Sequence, residues 1–399
     1  MDKKPERLVP EVRFKGFTDD WEQHKLGKIM NVTSVKRIHQ SDWQKVGIPF
    51  YRARDVVAIS KGQKISEPIY ISENKYKEFS EISGKVKIND LLVTGVGTIG
   101  VPLLVQKTPL YFKDGNIIWF QNNNQFNGIF LYNAFLTRSI QNFIKTTTGV
   151  GTVPTYTIIT GKETPISFPK PKEQDRIATL LKTAENLITL QQRKLEQLKQ
   201  LKKAMLQQLF VNKNNKQPIL KFKNFRNNWR EYKLSEIVNL EDNKRKPVKA
   251  TERIRGKIPY YGANGIQDYV KGYTHIGKHV LIAEDGANSV DDYPIYFIYS
   301  PSWINNHTHV LTAKEEILSS EFLAYALKKI NYAKYLVGSG RYKLNAEILK
   351  LIPLKIPTMN EQKYIESNLS KIDKLIILQQ NKLTQLTTLK RYLLQKLFI

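Results

Sequence analysis

The chain has 399 residues, enough for two or more domains that each bury a core of their own. It contains no cysteine, which rules out a disulfide frame and any cysteine-based metal or thiol chemistry. The opening MDKKPERLVPEVRF lacks an apolar export segment, and no later stretch approaches the roughly 18 apolar residues of a membrane span, so a cytoplasmic location without membrane contact is expected.

Charge adds a direction. Lys and Arg number 63 against 36 Asp and Glu, and the formal charge of +27 makes a polyanion the natural partner. A genome biased toward Lys and Asn codons would give a similar excess spread over solvated faces, so charge alone does not settle the matter.

In chain order, the sequence says nearly the same thing twice. It opens with VRFKGFTDDWEQHKLGKI (12–29), runs through a body, and closes with TPISFPKPKEQDRIATLLKTAENLITLQQRKLEQLKQLKKAMLQQLF (164–210). The opening returns as LKFKNFRNNWREYKLSEI (220–237), with seven identities in 18 that include Phe14/Phe222, Trp21/Trp229 and Leu26/Leu234. The closing segment returns as residues 352–398, with 21 identities in 47 and no gap. The offsets are 208 and 188, so the first body is 20 residues longer than the second. Residues 40–140 and 240–330 show no alignment to each other. Framework repeats while contents diverge, as expected of two exchangeable reading heads on one frame.

Each closing segment predicts a long helix. Pro169 and Pro171 end the extended stretch before it, Glu173 and Asp175 suit the first turn, and neither Gly nor Pro interrupts it up to Phe210. Apolar residues at Ile177, Leu181, Ala184, Ile188, Leu195, Leu198, Leu201, Met205 and Leu209 follow steps of three and four, and the copy gives Ile365, Leu369, Ile372, Ile376, Leu383, Leu386, Leu389, Leu393 and Leu397. A helix of this length spans roughly 57 Å and cannot bury its stripe alone. The simplest pairing is antiparallel, as an intramolecular coiled coil with a pseudo-twofold axis, with Gln191 and Gln379 as polar seam residues that set register.

Signs of catalysis are weak. LLVTGVGTIGVPLLV contains the spacing G-x-G-x-x-G at Gly95, Gly97 and Gly100, but Pro102 and β-forming residues follow where a dinucleotide site needs a helix, so a hairpin or tight loop is expected. A Walker motif is absent, as is an Asn or Asp followed by Pro-Pro and an aromatic. The histidine pair in NNHTHV has no carboxylate cluster beside it in sequence, so no catalytic residue and no metal ligand is assigned. Loops dense in Tyr, Arg, Asn, Thr and Gly are better read as a DNA-binding surface: Tyr51, Arg52, Arg54, Thr98, Thr148, Thr152 and Tyr156 in the first body, and Tyr261, Asn264, Asn288, Arg341, Tyr342 and Lys343 in the second. Arg and Asn can pair bidentately with guanine and adenine edges, and Thr can touch the thymine methyl group. Taken singly, each of these residues also suits an ordinary turn.

The whole arrangement resembles the specificity subunit of type I restriction-modification enzymes. Its carriers are Pro165, Pro169, Glu173 and Gln174 with their copies Pro353, Pro357, Glu361 and Gln362, and the glycine-rich segments TTGVGTVPTYTIITGKETPI and LVGSGRYKLNAEILKLIPL. The resemblance implies an α+β fold: two target recognition domains, mixed α/β with a β-rich core, separated by two long antiparallel helices. The expected divisions are 1–170 and 212–357 for the recognition domains, and 171–211 and 358–399 for the helices. It implies a non-catalytic reader of double-stranded DNA, one half-site per domain, with the helices as a ruler. Two methyltransferase subunits and motor-nuclease restriction subunits would be its partners. No cofactor would be bound by this chain; S-adenosylmethionine, ATP and Mg would belong to those subunits. A stand-alone enzyme, such as a nuclease using NNHTHV, and a structural coiled-coil adaptor are the alternatives.

Overall fold

The computed structural model describes residues 8–148, 154–211, 215–225, 227–338 and 342–399. They form two compact units. Unit 1 is the chain up to Gln192 together with Asn381–Ile399, and unit 2 is Arg193–Gln380. Each long helix contributes one part to each unit.

The first half of the chain runs β1 (Glu22–Lys25), α1 (Leu26–Ile29), β2 (Asn31–Thr33), β3 (Ile48–Tyr51), α2 (Ala53–Ser60), β4 (Ile69–Ile71) and α3 (Glu73–Ser83). It continues with β5 (Leu91–Thr94), β6 (Pro102–Leu104), β7 (Tyr111–Phe112), β8 (Ile117–Gln121), α4 (Gly128–Phe135), α5 (Arg138–Thr147), α6 (Ile158–Glu163), β9 (Pro165–Phe168) and the long α7 (Pro171–Gln208). The second half gives β10 (Arg230–Lys233), α8 (Leu234–Ile237), β11 (Val238–Leu240), β12 (Arg255–Gly262), β13 (Gly265–Val270), β14 (His279–Ala283), β15 (Ile295–Ile298), β16 (Trp303–Ile304) and β17 (Thr308–Ala313). It ends with α9 (Ser320–Leu327), α10 (Ala346–Leu351), β18 (Pro353–Ile356) and the long α11 (Met359–Lys396).

The two bodies that share no alignable sequence have the same topology. Unit 1 holds a four-stranded sheet in the order β2-β8-β5-β6, a three-stranded sheet β4-β3-β7 and the pair β1-β9. Unit 2 holds β11-β17-β14-β15, β13-β12-β16 and β10-β18. Each strand thus has a counterpart, down to the parallel pairing of β3 with β7 and of β12 with β16. The pleat explains how the central strands are used. Leu91 and Val93 of β5, with Ile118 and Phe120 of β8, face one core of unit 1, while Leu92, Ile117 and Trp119 face a second. In β14 and β17, Val280, Ile282 and Leu311 likewise face one core and Leu281 and Val310 another. A strand buried on both faces reads as an unbroken apolar run, as LLVT and HVLIA do.

Within each unit the helices pair antiparallel. In unit 1, Ile177 and Leu181 at the start of α7 share a core with Leu397 and Phe398 just past α11, and Lys390 binds Glu185 at 2.7 Å. In unit 2, Ile365 and Leu369 at the start of α11 share a core with Leu209 and Phe210 just past α7, and Lys202 binds Asp373 at 2.5 Å. Seam residues are fully buried at the helix starts, whereas Ile188, Leu195, Leu198, Ile376, Leu383 and Leu386 are half-buried. Gln191 and Gln379 are buried. Leu201 and Leu389 depart from the spacing argument: each is 49% exposed, on the outer side of its helix.

The repeated motifs have matching duties. Gln174 accepts a hydrogen bond from the Asn127 backbone at the start of α4 and donates to the Pro169 carbonyl; Gln362 does the same with Ser319, at the start of α9, and Pro357. Trp21 packs edge-on to Phe130 and Phe398, and Trp229 packs against Phe322 and Phe210. The Leu-Phe that ends each helix is thus a core plug. Phe398 fills unit 1 and Phe210 fills unit 2.

Candidate nucleic-acid interface

In unit 2 the structure draws most of the expected residues into one loop cluster. Strands β12 and β13 form a hairpin with Ala263 and Asn264 at its tip, closed by the Gly262–Gly265 pair; Gly265 has φ +101°, which favours glycine. The Asn264 side chain donates to the Gly286 carbonyl at 2.9 Å and accepts from the Asn288 backbone at 2.9 Å, tying the hairpin tip to the loop after β14. That loop is bridged in turn to the segment before α10, through a β-bridge between Asp285 and Lys343 and a bond from the Leu344 backbone to the Glu284 carbonyl. Asn264 and Asn288 are exposed, Tyr342 is 46% exposed, and Tyr261 lies half-buried against Tyr296, where burial raises its hydroxyl pKa. Arg341 lies outside the described residues.

Beneath these loops is a charged cluster that sequence reading missed. Arg245 donates to Glu284 at 2.7 Å and to the Thr308 carbonyl at 3.0 Å, and Lys343 lies 3.0 Å from the other oxygen of Glu284. His309, 1% exposed, places Nδ1 at 2.5 Å from Asp242 and Nε2 at 2.7 Å from the Leu344 carbonyl. Burial acts to raise the Glu284 pKa, but the bonds from Arg245 and Lys343 outweigh it and hold the carboxyl below its usual value. NNHTHV does have carboxylates beside it, then, brought from 67 residues upstream for Asp242. Asp242, Glu284 and His309 offer ligand-type atoms within 4.8 Å of one another, the one such grouping among the described residues. The donor set suits an ion-pair cluster better than a resident cation, because a guanidinium and an ammonium already occupy both oxygens of Glu284.

Unit 1 treats its candidates differently. The Arg52 guanidinium forks onto Asp55 at 2.7 and 3.0 Å and donates to the Glu67 carbonyl at 2.6 Å, so its donors serve the start of α2. Arg54 is exposed and pairs with Glu67 at 2.7 Å. Tyr51 is half-buried, with its hydroxyl pKa raised by burial and by Asp55. The glycines of GVGTIG make the expected β5–β6 turn, with Gly97 at φ +69° and Gly100 at φ +74°, and Thr98 is exposed on it. Two expectations are corrected. Tyr156 is 1% exposed, its hydroxyl 2.5 Å from Thr164 and its pKa pushed up by burial, so its ring is core. Thr148 is buried at the end of α5, donating to the Lys145 carbonyl at 3.1 Å. Thr152 lies outside the described residues.

The fold defines a class: a two-headed, internally repeated α+β protein whose unlike loops sit on like sheets. The sequence pattern of the type I restriction modification DNA specificity domain matches residues 18–200 and 226–388, and the chain belongs to that family as a specificity subunit. A Haemophilus influenzae chain named as a type I restriction enzyme specificity subunit is 48% identical over 129 residues, about a third of each chain. The MjaVIII specificity subunit of Methanocaldococcus jannaschii is 22% identical over 89% of this chain and 92% of its own. The fold is shared with the crystal structure of a type I restriction-modification S subunit from M. genitalium, with TM-score 0.68 and 18% identity over 98% of this chain and 99% of that one. No helix among the described residues is long and apolar enough to cross a membrane.

Proposed function

We propose that this specificity subunit reads a two-part target in double-stranded DNA, one half-site per unit, and catalyses nothing itself. The observation that carries this reading is the identical strand order of the two units beneath loops that differ in length, secondary structure and chemistry. One frame with two contents is what reading two unlike half-sites requires. The charge of +27 supplies the sequence-independent attraction to phosphate, and the exposed residues Arg54, at the start of α2, and Thr98, Asn264, Asn288 and Lys343, in loops, supply candidates for base edges.

Two methyltransferase subunits dock on the helices, and restriction subunits join that complex. S-adenosylmethionine, ATP and Mg act on those partners, in the cytoplasm. A repeated apolar patch supports the number two. Leu187 and Leu190 of α7, in unit 1, are 41% and 58% exposed, and their copies Leu375 and Leu378 of α11, in unit 2, are 49% and 65% exposed. Apolar side chains left outside at matching positions on both copies offer the same surface twice. Methylome sequencing of a host with and without the chain tests the reading: one two-part adenine-methylation motif is expected to vanish with it, and an unchanged methylome would refute it.

A further inference from the structure

We infer that Arg245, Asp242, Glu284 and His309 are positioning residues that hold Asn264, Asn288 and Lys343 as one surface, and that base selectivity in the half-site read by unit 2 depends on them. The inference rests on the proposed reading of DNA by that unit. Three separate segments meet at this cluster: the turn at Asp242–Arg245, the loop that begins at Glu284, and the segment at Lys343–Leu344. Each is held by at least two bonds. Arg245 spans the first two, with Nε 3.0 Å from the Asp242 carbonyl and Nη1 2.7 Å from Glu284. Glu284 then holds Lys343 through its other oxygen. His309 closes the circuit, with Nδ1 beside the Asp242 carboxylate and Nε2 beside the Leu344 carbonyl. The side chains of Arg245, Asp242, Glu284 and His309 are 14%, 16%, 15% and 1% exposed. Pairs this sheltered resist salt and hold a fixed geometry, unlike ion pairs at the surface.

Among the described residues, unit 1 has no such cluster at the corresponding place. The Tyr156 backbone bonds to the Gly95 carbonyl as Leu344 bonds to that of Glu284, and strand register then aligns Ile118 with His309. Where unit 2 has a carboxylate, unit 1 has a glycine whose added Cβ would lie 2.6 Å from the Tyr156 carbonyl oxygen. Where unit 2 has an imidazole, unit 1 has a buried isoleucine. A pleated core position needs only an apolar side chain, so the frame does not demand these charges. Their placement under the Asn264–Asn288–Lys343 surface accounts for them: a side chain that reads a base edge must be held to within a fraction of an ångström. The cluster fixes the position of Lys343 on Glu284 and keeps the Asn288 loop against the hairpin.

The test compares methylomes of hosts carrying the wild-type chain, Arg245→Met, Arg245→Lys and Lys343→Met, each with its partner subunits. Arg245→Met is expected to reduce the preference for the cognate base at one or more positions of a single half-site by tenfold or more, with the other half and the spacer unchanged. Arg245→Lys, which keeps a cation at position 245 beside Glu284, should restore part of that preference, an outcome that a general loss of stability would not produce. Lys343→Met removes one of the two cations of Glu284 from a half-exposed position and should relax the same half-site even if Arg245→Met fails to fold. A wild-type chain that directs no two-part motif overturns the reading and the inference together. A wild-type motif whose halves stay equally stringent in Lys343→Met, or relax together, overturns the inference alone.

Discussion

The two units differ most where they are least constrained. Between β3 and β4, unit 1 carries residues 52–68 with helix α2; between β12 and β13, unit 2 carries two residues. Before β5, unit 1 has helix α3, whereas unit 2 reaches β14 with no helix. After α4, unit 1 builds the ten-residue α5, and in the described residues between α9 and α10 unit 2 makes a short 3-10 turn at Tyr332–Lys334. The junctions with the long helices hardly change: a tryptophan, a phenylalanine from the body and the helix-end phenylalanine meet in both. Even there a detail is exchanged. Glu173 is gripped by the fork of Arg13 at 2.8 Å for both bonds, and Glu361 by the indole of Trp229 at 3.3 Å. The contrast teaches that repetition follows contact: residues touching the shared helices are held to one solution, and loops that touch only solvent or a ligand are not.

The largest blow to both units at once should come from Leu195→Pro in the interior of α7. Proline removes a backbone donor and collides with the preceding turn, at a cost of about 3 kcal/mol or more. Assembly with partner subunits, followed by gel filtration and by methylation of either half-site, is expected to be lost; retention of both would deny the helices a central part. Next comes exchange of residues 30–145 for the matching region of a relative. One half of the methylated motif should be replaced, the other half and the spacer staying as they were, whereas a change in both would break the modular comparison.

The plugs sharpen it further. Phe398→Ala should lower the stability of unit 1 by about 3 to 5 kcal/mol, and Phe210→Ala that of unit 2 by a like amount. Hydrogen exchange resolved by peptide would show whether each loss stays within the unit whose core the ring fills. A four-residue insertion after Lys199 lengthens α7 by about 6 Å. The preferred spacer is expected to grow by one or two base pairs with both half-site sequences retained, and an unchanged spacer would show that the helices do not set it. The mildest change is Arg54→Ala, which should cost about 1 to 3 kcal/mol of base discrimination in the half-site read by unit 1 and nothing in the other. Competition binding with single-base variants of each half would measure it.

The sequence by itself determined whatever is written in neighbouring residues or repeated at a fixed offset. Helix periodicity placed α7 and α11, because an amphipathic stripe of 38 residues has no other way to be buried. The 208 and 188 offsets exposed the repeated junctions, and Pro102 correctly turned GVGTIG into a hairpin. The family resemblance also stood on those local motifs. What only the tertiary structure decided is long in range. That the two bodies share a strand order was invisible, because a pleated core accepts any apolar side chain of suitable size, so the fold persists while identities drift. The antiparallel pairing brings Phe398 to Trp21 across nearly the whole chain, a contact that no local pattern encodes. Tyr156 looked like a loop residue until burial made it core, and Arg52 looked like a reader until Asp55 and Glu67 took up its donors. The charged cluster of unit 2 shows the same limit most clearly: Asp242, Glu284 and His309 stand far apart in sequence, and they meet because β14 and β17 pair in one register and the loop after β14 folds back over them.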